Sequence, residues 1–371
     1  MPELADVFAR YGGAYLDKYG DAMLPSHRRA LEDILHCRTE VMGGHVFQCD
    51  ACGQIHYSYH SCGNRSCPKC HHTQTEDWLA QRCQELLPTD YFHVIFTIPA
   101  ELRGYVRSHQ TKLCGMLMKA AAQSLIKLAA DPHYVGGLVG ILAVLHTWGR
   151  ALSYHPHVHC LVPAGGLNRD SREWLSSKKD FLVPVKALSK IFRGLFRDLV
   201  RKTCPDLAIP ASVWNCPWVI HCKPAGGGTE TVLNYLGRYV YRVAITNSRI
   251  ISVDHGRVAF RYKDSGHGQW KTMSLGGEEF IRRFLQHVLP RGFHKVRYYG
   301  LWAPGNRGLL RHVQLQLTLK DDRPPAQDSE PDAGQEASPS EHPLSDRKCP
   351  HCGKGVLVWL HRIPRLGRAP P

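Results

Sequence analysis

Two groups of residues carry the chemistry of this chain. His155, His157 and His159 alternate with single residues, and Tyr235 and Tyr239 follow about 80 positions later. Along an extended strand, side chains at i, i+2 and i+4 share a face, so the three imidazoles project together and invite a divalent metal ion. The tyrosines lie in a segment whose apolar residues Val232, Leu236, Val240 and Val243 recur with helical period. A spacing of four places the phenols one turn apart on one face, with Cβ atoms about 5–6 Å apart, so that two nucleophiles can address one metal site in turn. Arg238 and Arg242 stand beside them to hold phosphate oxygens, and Gly237 clears room for a strand of nucleic acid. A phenol with a pKa of about 10 is a weak nucleophile at neutral pH, and a phosphodiester repels attack through its charged oxygens. A divalent cation answers both difficulties, because it neutralises the non-bridging oxygens and orients phosphorus for in-line displacement. The expected product is a 5′-phosphotyrosine and a free 3′-OH. Since the ester is exchanged and not hydrolysed, the strand can be handed on without ATP.

The elements that must hold these groups can be read from the same sequence. Residues 154–163 end at Pro163 and the pair Gly165-Gly166, as a strand running into a turn does. Residues 138–146 read as the preceding strand, and the short link between them predicts an antiparallel pair. Residues 91–98 predict a further strand, 101–130 one or two helices rich in Leu, Met and Ala, 183–200 an amphipathic helix and 218–221 a short strand. Three glycines at 226–228 form a flexible approach to the tyrosine helix. Beyond it, 250–262 and 270–275 predict a β-hairpin carrying Arg257, Arg261 and Lys263, followed by a helix over 278–289. The aromatic run Tyr298-Tyr299-Gly300-Leu301-Trp302 lies between Arg297 and Arg307. It reads either as a stacking surface for unpaired bases or as a core strand with arginine tips. The succession of strand, helix, strand, strand, helix gives an α+β fold, an antiparallel sheet with helices on one face.

The cysteines carry an independent signal. Cys49, Cys52, Cys67 and Cys70 form two C-x2-C knuckles with fourteen residues between them, the spacing of a structural zinc site with four cysteine ligands. Residues 1–20 contain no apolar run of the kind that opens a secreted chain, which favours zinc thiolates over disulfides. Cys37, Cys62 and His60 are further candidates, to complete a second site or to replace a ligand of the first. A module this small has little core, so its folding is expected to be coupled to metal. Arg65 and Lys69, with His71 and His72, cluster at the second knuckle and suggest contact with DNA. A third knuckle, Cys349-Pro350-His351-Cys352-Gly353, is half a site. His342 or His361 would have to complete it, or it is an unmetallated turn in a tail.

Composition fits a nucleic-acid partner. The 47 Lys and Arg outnumber the 32 Asp and Glu, for a net charge of +15. Residues 321–343 hold seven of the acids and one base, so the rest of the chain carries +21 and attracts polyanions through a term that salt weakens. Residues 321–345, rich in Pro, Ser, Asp and Glu and without periodicity, are expected to be disordered. The best apolar run, 136–145, is far too short to span a membrane and reads as a buried strand.

Several short stretches, in this order, bear a family likeness. They are Cys37-Arg38-Thr39, Ser61-Cys62-Gly63-Asn64-Arg65 with Cys67-Pro68-Lys69-Cys70, Phe96-Thr97-Ile98-Pro99 and Leu145-His146-Thr147-Trp148-Gly149. Then come His157-Val158-His159, Tyr235-Leu236-Gly237-Arg238-Tyr239, Arg282-Arg283-Phe284 and Arg297-Tyr298-Tyr299-Gly300-Leu301. Together they resemble the two-tyrosine HUH transposases of rolling-circle insertion sequences, the family named after insertion sequence 91, over about residues 25–320. The resemblance implies an HUH endonuclease core with the histidines on a central strand and Tyr235 and Tyr239 as nucleophiles. It further implies two histidines and a third polar side chain holding catalytic magnesium or manganese, beside the structural zinc. The third ligand stays open between His155 and His146, with the shared strand face favouring His155. The implied substrate is single-stranded DNA with hairpins at the element's ends, bound by a protein that self-associates on DNA in the bacterial cytoplasm, at the nucleoid. The expected organisation is a helical segment 1–30, a zinc-binding domain 31–90, the catalytic domain 91–320, an acidic linker 321–348 and a CxxC tail 349–371. The alternative is a zinc-dependent DNA-binding regulator without nuclease activity, which leaves three aligned histidines and a pair of phenols without a use. A plasmid replication initiator or relaxase with the same chemistry is disfavoured by the zinc module.

Overall fold

The computed structural model describes residues 1–70, 85–226, 232, 237, 239–240, 242–264, 268–320 and 347–366. Apolar residues at helical spacing, and a proline in the first turn of the second helix, open the chain with α1 (Leu4–Tyr19) and α2 (Pro25–Leu35). A hairpin follows, β1 (Gly44–Cys49) and β2 (Ile55–Tyr59). Residues 75–87, whose sequence predicts a helix leading into the next strand, fall largely outside the described residues. Next come β3 (Tyr91–Thr97), α3 (Leu102–Ser108), α4 (Gln110–Ala129), β4 (Gly140–Trp148) and β5 (Tyr154–Pro163). A minor hairpin of β6 (Gly165–Leu167) and β7 (Trp174–Ser176) leads to α5 (Val185–Thr203), α6 (Ala211–Asn215) and β8 (Ile220–Gly226). Val232, Gly237, Tyr239 and Val240 are helical. Beyond them lie β9 (Ile250–Asp254), β10 (Arg257–Lys263), β11 (Trp270–Gly276), α7 (Gly277–Leu285), β12 (Val296–Gly300), α8 (Arg307–Lys320) and β13 (Leu357–Ile363).

The fold is α+β, as the succession of elements predicts. Its main sheet has the order β12-β4-β5-β3-β8, every neighbouring pair antiparallel, and β5 is the central strand. Alternation sorts its side chains between two cores. Phe92, Val94, Phe96, Ile141, Ala143, Leu145, Val158, Cys160 and Val162 face α4 and α5. Helix α5 meets them with Leu188, Phe192, Phe196 and Val200, a stripe at intervals of four, and Phe192 packs edge-on against Phe96. The long helices therefore cover one face. The opposite face carries Tyr91, Leu142, Val144 and Leu161 and is itself partly covered, by Val232, Val240, Trp302 and, from α8, Leu310 and Val313. The histidines belong to this second face.

A third core joins the N-terminal helices to β10 and α7. Leu4, Val7, Phe8, Ala30, Leu31 and Ile34 pack with Val258 and Phe260 of β10 and with Phe280, Ile281 and Phe284 of α7. Phe8 meets Phe284 edge to face. The hairpin expected over 250–275 is instead a three-stranded meander, β9-β10-β11, because His255 and Gly256 both take positive φ and make a tight two-residue turn inside its first arm. The last strand is the larger surprise. β13 does not belong to a separate tail but pairs antiparallel with β1, giving the sheet β13-β1-β2. Residues 321–346, expected to be disordered, lie outside the described residues.

Candidate metal centre and its tyrosine

Strand register assembles the site. On β5, His157 stands opposite His146 of β4, and His159 stands opposite Val144 on β4 and Ile95 on β3. Directly opposed residues of an antiparallel pair project to the same face, so His146, His157 and His159 converge. One nitrogen from each lies within 4.8 Å of the others. Of the two candidates the sequence left open for a third ligand, His146 is in this group and His155, which the shared strand face favoured, is not. The β4–β5 register shifts between His146 and Trp148, so Tyr154 opposes Trp148 while His155 falls at the bulge. A bulge rotates the residues beside it and ends the simple alternation on which the expectation rested. Cross-strand neighbours are also nearer than i, i+2 neighbours.

Hydrogen bonds fix which nitrogen of each ring faces inward. His157 Nδ1–H donates to the His155 carbonyl at 2.6 Å, which leaves Nε2. His146 Nε2–H donates to the carbonyl of Tyr239 at 2.7 Å, which leaves Nδ1. His159 Nδ1 lies 2.8 Å from His93 Nε2. Such outer contacts orient metal-binding histidines and select their tautomer. Burial pushes His157 down to about 4 and holds His146 and His159 well below the usual histidine range, with the neighbouring rings and Arg242 adding to the effect. The rings are thus neutral at physiological pH, the form that binds a cation.

Tyr239 closes the site. Its ring centroid lies 4.5 Å from that of His159, 5.1 Å from His93 and 6.0 Å from His146. The tyrosine ring therefore packs directly on the histidines, and the His146 ring Nε2–H, bonded to the Tyr239 carbonyl, anchors the tyrosine backbone to the cluster. Tyr235 and Arg238 lie outside the described residues. Arg242 is exposed and close enough to act electrostatically on all three histidines. Lys295, a residue the sequence reading did not single out, is half-buried nearby and lines a small cavity with Arg65 and Arg242, and desolvation lowers it to about 8.

Two predicted DNA contacts have other employment. Arg65 donates to the carbonyls of Leu289 and Pro290 at 2.7 Å and to that of Phe293, so its guanidinium caps a turn. Lys69 is paired with Glu3. Sequence reasoning also missed His93, which buttresses His159, and the exposed edge formed by His221 and Lys223 on β8. Both edge residues share the histidine face through their pairing with Ile95 and His93. Only an explicit strand register could have found them.

The cysteines are grouped differently from the expectation. Cys37, Cys62, Cys67 and Cys70 form one set of four, and Cys49, Cys52, Cys349 and Cys352 form another. The two N-terminal knuckles thus serve separate clusters, because the β1–β2 hairpin carries Cys49 and Cys52 away from Cys67 and Cys70. His60 joins neither cluster. His361 sits on β13 opposite Val46 and is exposed, while His342 lies outside the described residues.

Comparison with known proteins agrees with this architecture. Residues 140–308 match a family model described as "Putative transposase", and residues 7–98 match one described as "Transposase zinc-binding domain". The chain is 39% identical to the "Putative transposase y4qJ" of Sinorhizobium fredii, over 97% of this chain and 95% of that protein. It is 30% identical to the "Transposase for insertion sequence element IS801" of Pseudomonas savastanoi pv. phaseolicola, over 73% of this chain and 68% of that protein. No solved structure matches. Among the described residues no helix is long and apolar enough to cross a membrane.

Proposed function

The chain belongs to the transposase family named after insertion sequence 91, and from that membership we propose that it is a two-tyrosine nickase and strand transferase acting on single-stranded DNA at the ends of its element. The observation that carries this reading is the packing of Tyr239 on His93, His146 and His159, with His146 bonded to the tyrosine's own carbonyl.

His146 Nδ1, His157 Nε2 and His159 Nε2 fit a divalent cation, since three neutral nitrogens lie within 4.8 Å of one another and would hold it beside Tyr239. The all-imidazole set favours manganese over the harder magnesium. When bound, the ion supplies charge neutralisation at the non-bridging oxygens of the scissile phosphate. The chain's own residues do the rest. Arg242 and the β8 edge with His221 and Lys223 draw the phosphate backbone across the histidine face. The Tyr239 phenol gives its proton to water, its Oη bonds phosphorus, the P–O3′ bond breaks, and the departing 3′ oxygen takes a proton. DNA is left 5′-linked to tyrosine. Tyr235, four residues earlier, supplies a second phenol for the reciprocal exchange, and hairpins at the element's ends present the unpaired strand.

A covalent-capture assay tests the proposal. Purified protein is mixed with single-stranded element ends labelled at 5′ or 3′, with manganese or chelator, and resolved on a denaturing gel. The expected adduct needs metal, retains the 3′ label, persists in Tyr235→Phe or Tyr239→Phe alone and is absent when both are changed. Binding of these ends without any adduct, across several metals, would sink the nickase reading and favour a DNA-binding regulator.

A further inference from the structure

The cluster of Cys49, Cys52, Cys349 and Cys352 joins residues about 300 positions apart and lies half outside the segment matched by the zinc-binding family model. We propose that it is a second structural zinc-thiolate centre, assembled from one knuckle near each end of the chain, which fastens the C-terminal strand β13 onto β1.

The two knuckles are built alike. Each reads Cys-x-x-Cys-Gly, and in each the glycine takes positive φ, 71° at Gly53 and 67° at Gly353. Each glycine N–H donates to the carbonyl of its first cysteine, at 3.0 Å to Cys49 and 2.8 Å to Cys349. The N–H of each first cysteine in turn donates to a carbonyl just past the turn, Gln54 at 3.0 Å and Gly355 at 2.7 Å. Two equivalent loops therefore present two sulfurs apiece. Across the interface Cys49 and Cys352 sulfurs lie 3.7 Å apart, and those of Cys52 and Cys349 lie 3.9 Å apart. Four sulfurs held tetrahedrally at about 2.3 Å from zinc are separated by about 3.8 Å. Soft thiolates in this arrangement select zinc.

The surroundings suit the charge and the closeness of such a centre. Four thiolates around a divalent ion leave a net negative charge, which N–H donors disperse. The Gly355 N–H points at Cys352 Sγ from 3.5 Å, and His56 Nε2 lies 3.3 Å from Cys349 Sγ. Gly355 must lack a side chain, since a Cβ there would lie 2.5 Å from Cys49 Sγ. Asp50 ties the loops together: its carboxylate accepts the Val356 N–H at 2.8 Å, and its own N–H donates to the Val356 carbonyl. The apolar support is small, namely Phe47 and Leu357 beside Cys49 and Cys349. Val358, Trp359 and Leu360 stay largely exposed on β13. Burial alone is thus a weak reason for β13 to dock, and a metal clamp supplies the missing one.

Zinc content of the full-length protein, measured by elemental analysis, tests the assignment. Cys349→Ser/Cys352→Ser is expected to carry one zinc fewer per chain than the unaltered protein. Cys49→Ser/Cys52→Ser should lose the same ion, so that the quadruple variant still lacks only one. In the cobalt-substituted protein the thiolate charge-transfer absorbance should fall to about half in either double variant. Unchanged zinc in Cys349→Ser/Cys352→Ser, or loss of two ions in the quadruple variant, overturns the proposal. A version that keeps every ligand guards against misfolding. With a protease site inserted between Ala333 and Gly334, the cleaved C-terminal piece should co-elute with the body while zinc is bound and separate when a strong chelator removes it. Separation while two zincs per chain are still bound, or co-elution after both are gone, overturns it equally.

Discussion

The histidine cluster and the Cys37 cluster are both metal-competent, yet they are held in opposite ways. His146, His157 and His159 project from the two best-buried strands of the main sheet, and hydrogen bonds to His93 and to the carbonyls of His155 and Tyr239 fix each ring before any cation arrives. Cys37, Cys62, Cys67 and Cys70 come from turns and short loops, and the Cys70 sulfur approaches those of Cys37 and Cys62 to 3.5 Å. The first site is preorganised by the fold; the second organises it. Metal should therefore matter for chemistry in one place and for stability in the other.

The strongest way to break this contrast is to remove the cysteines. Cys37, Cys67 and Cys70 are buried in the same core as Phe8, Ile34 and Phe284, so losing the metal there opens the junction between the N-terminal helices and α7. Apparent zinc binding in small structural sites is worth about 10–16 kcal/mol. Cys37→Ser/Cys70→Ser is expected to yield little folded protein, or a thermal midpoint more than about 10 °C lower, given that 1 kcal/mol moves Tm by about 2–4 °C at this size. A midpoint within about 2 °C of the parent would refute the structural role.

Removing the histidines should do the reverse. His157→Asn/His159→Asn is expected to abolish nicking and manganese binding, followed by calorimetry, while far-UV circular dichroism stays unchanged and Tm moves by only a few degrees. Collapse of the fold would show that the rings are structural first. A finer test separates the two candidates for the third ligand. His146→Ala should weaken manganese binding at least about 10-fold more than His155→Ala, and His93→Leu should cost about 10–100-fold as an outer contact. Equal losses at 146 and 155 would contradict the register argument.

Local pattern made much of this visible beforehand, and long-range pairing hid the rest. The strict alternation of His157 and His159 within residues 154–163 announced a strand with both rings on one face, and the family likeness, not the alternation, implied its central place. Alternation could not announce the bulge beside His155, since bulges are set by how β4 and β5 pair. Leu188, Phe192 and Phe196 revealed α5 by period alone, and Leu4, Val7 and Phe8 revealed α1. The cysteine spacing revealed zinc chemistry but assigned the knuckles to one site, because C-x2-C motifs fix the number of ligands per loop and not which loops meet. Cys49 and Cys349 are neighbours only through the pairing of β1 with β13. His93 went unnoticed for a similar reason: a lone histidine in an apolar strand has no meaning until its opposite strand is known.

The smallest effect concerns the junction that the Cys37 cluster supports. His27 on α2 and His287 just after α7 are both buried there, and both feel Arg107. Burial first, and that guanidinium second, lower His27 to about 4 and His287 to about 3. His287 lies beside Thr147 Oγ1 and the Leu152 carbonyl, while the backbone of Val288 offsets part of the lowering at His27, whose Nε2 has no hydrogen-bond partner among the described residues. Each ring is neutral when folded and titrates near 6.5 when unfolded. The unfolded chain therefore takes up protons first as pH falls, and stability declines from about pH 6.5 down to about 4 by about 1.4 kcal/mol per pH unit for each site. Glu279, held down to about 2 by Arg282 and Arg283, acts in a lower window, whereas His93, His146, His157 and His159 add to the decline in the same one, so the readout is the change that a single substitution makes. Denaturant midpoints of the zinc-loaded protein between pH 7 and 4.5 should show the decline, and His27→Gln should flatten it by about one site's worth. The same slope in His27→Gln as in the parent would mean that the neutral histidine is not what makes this junction sensitive to acid.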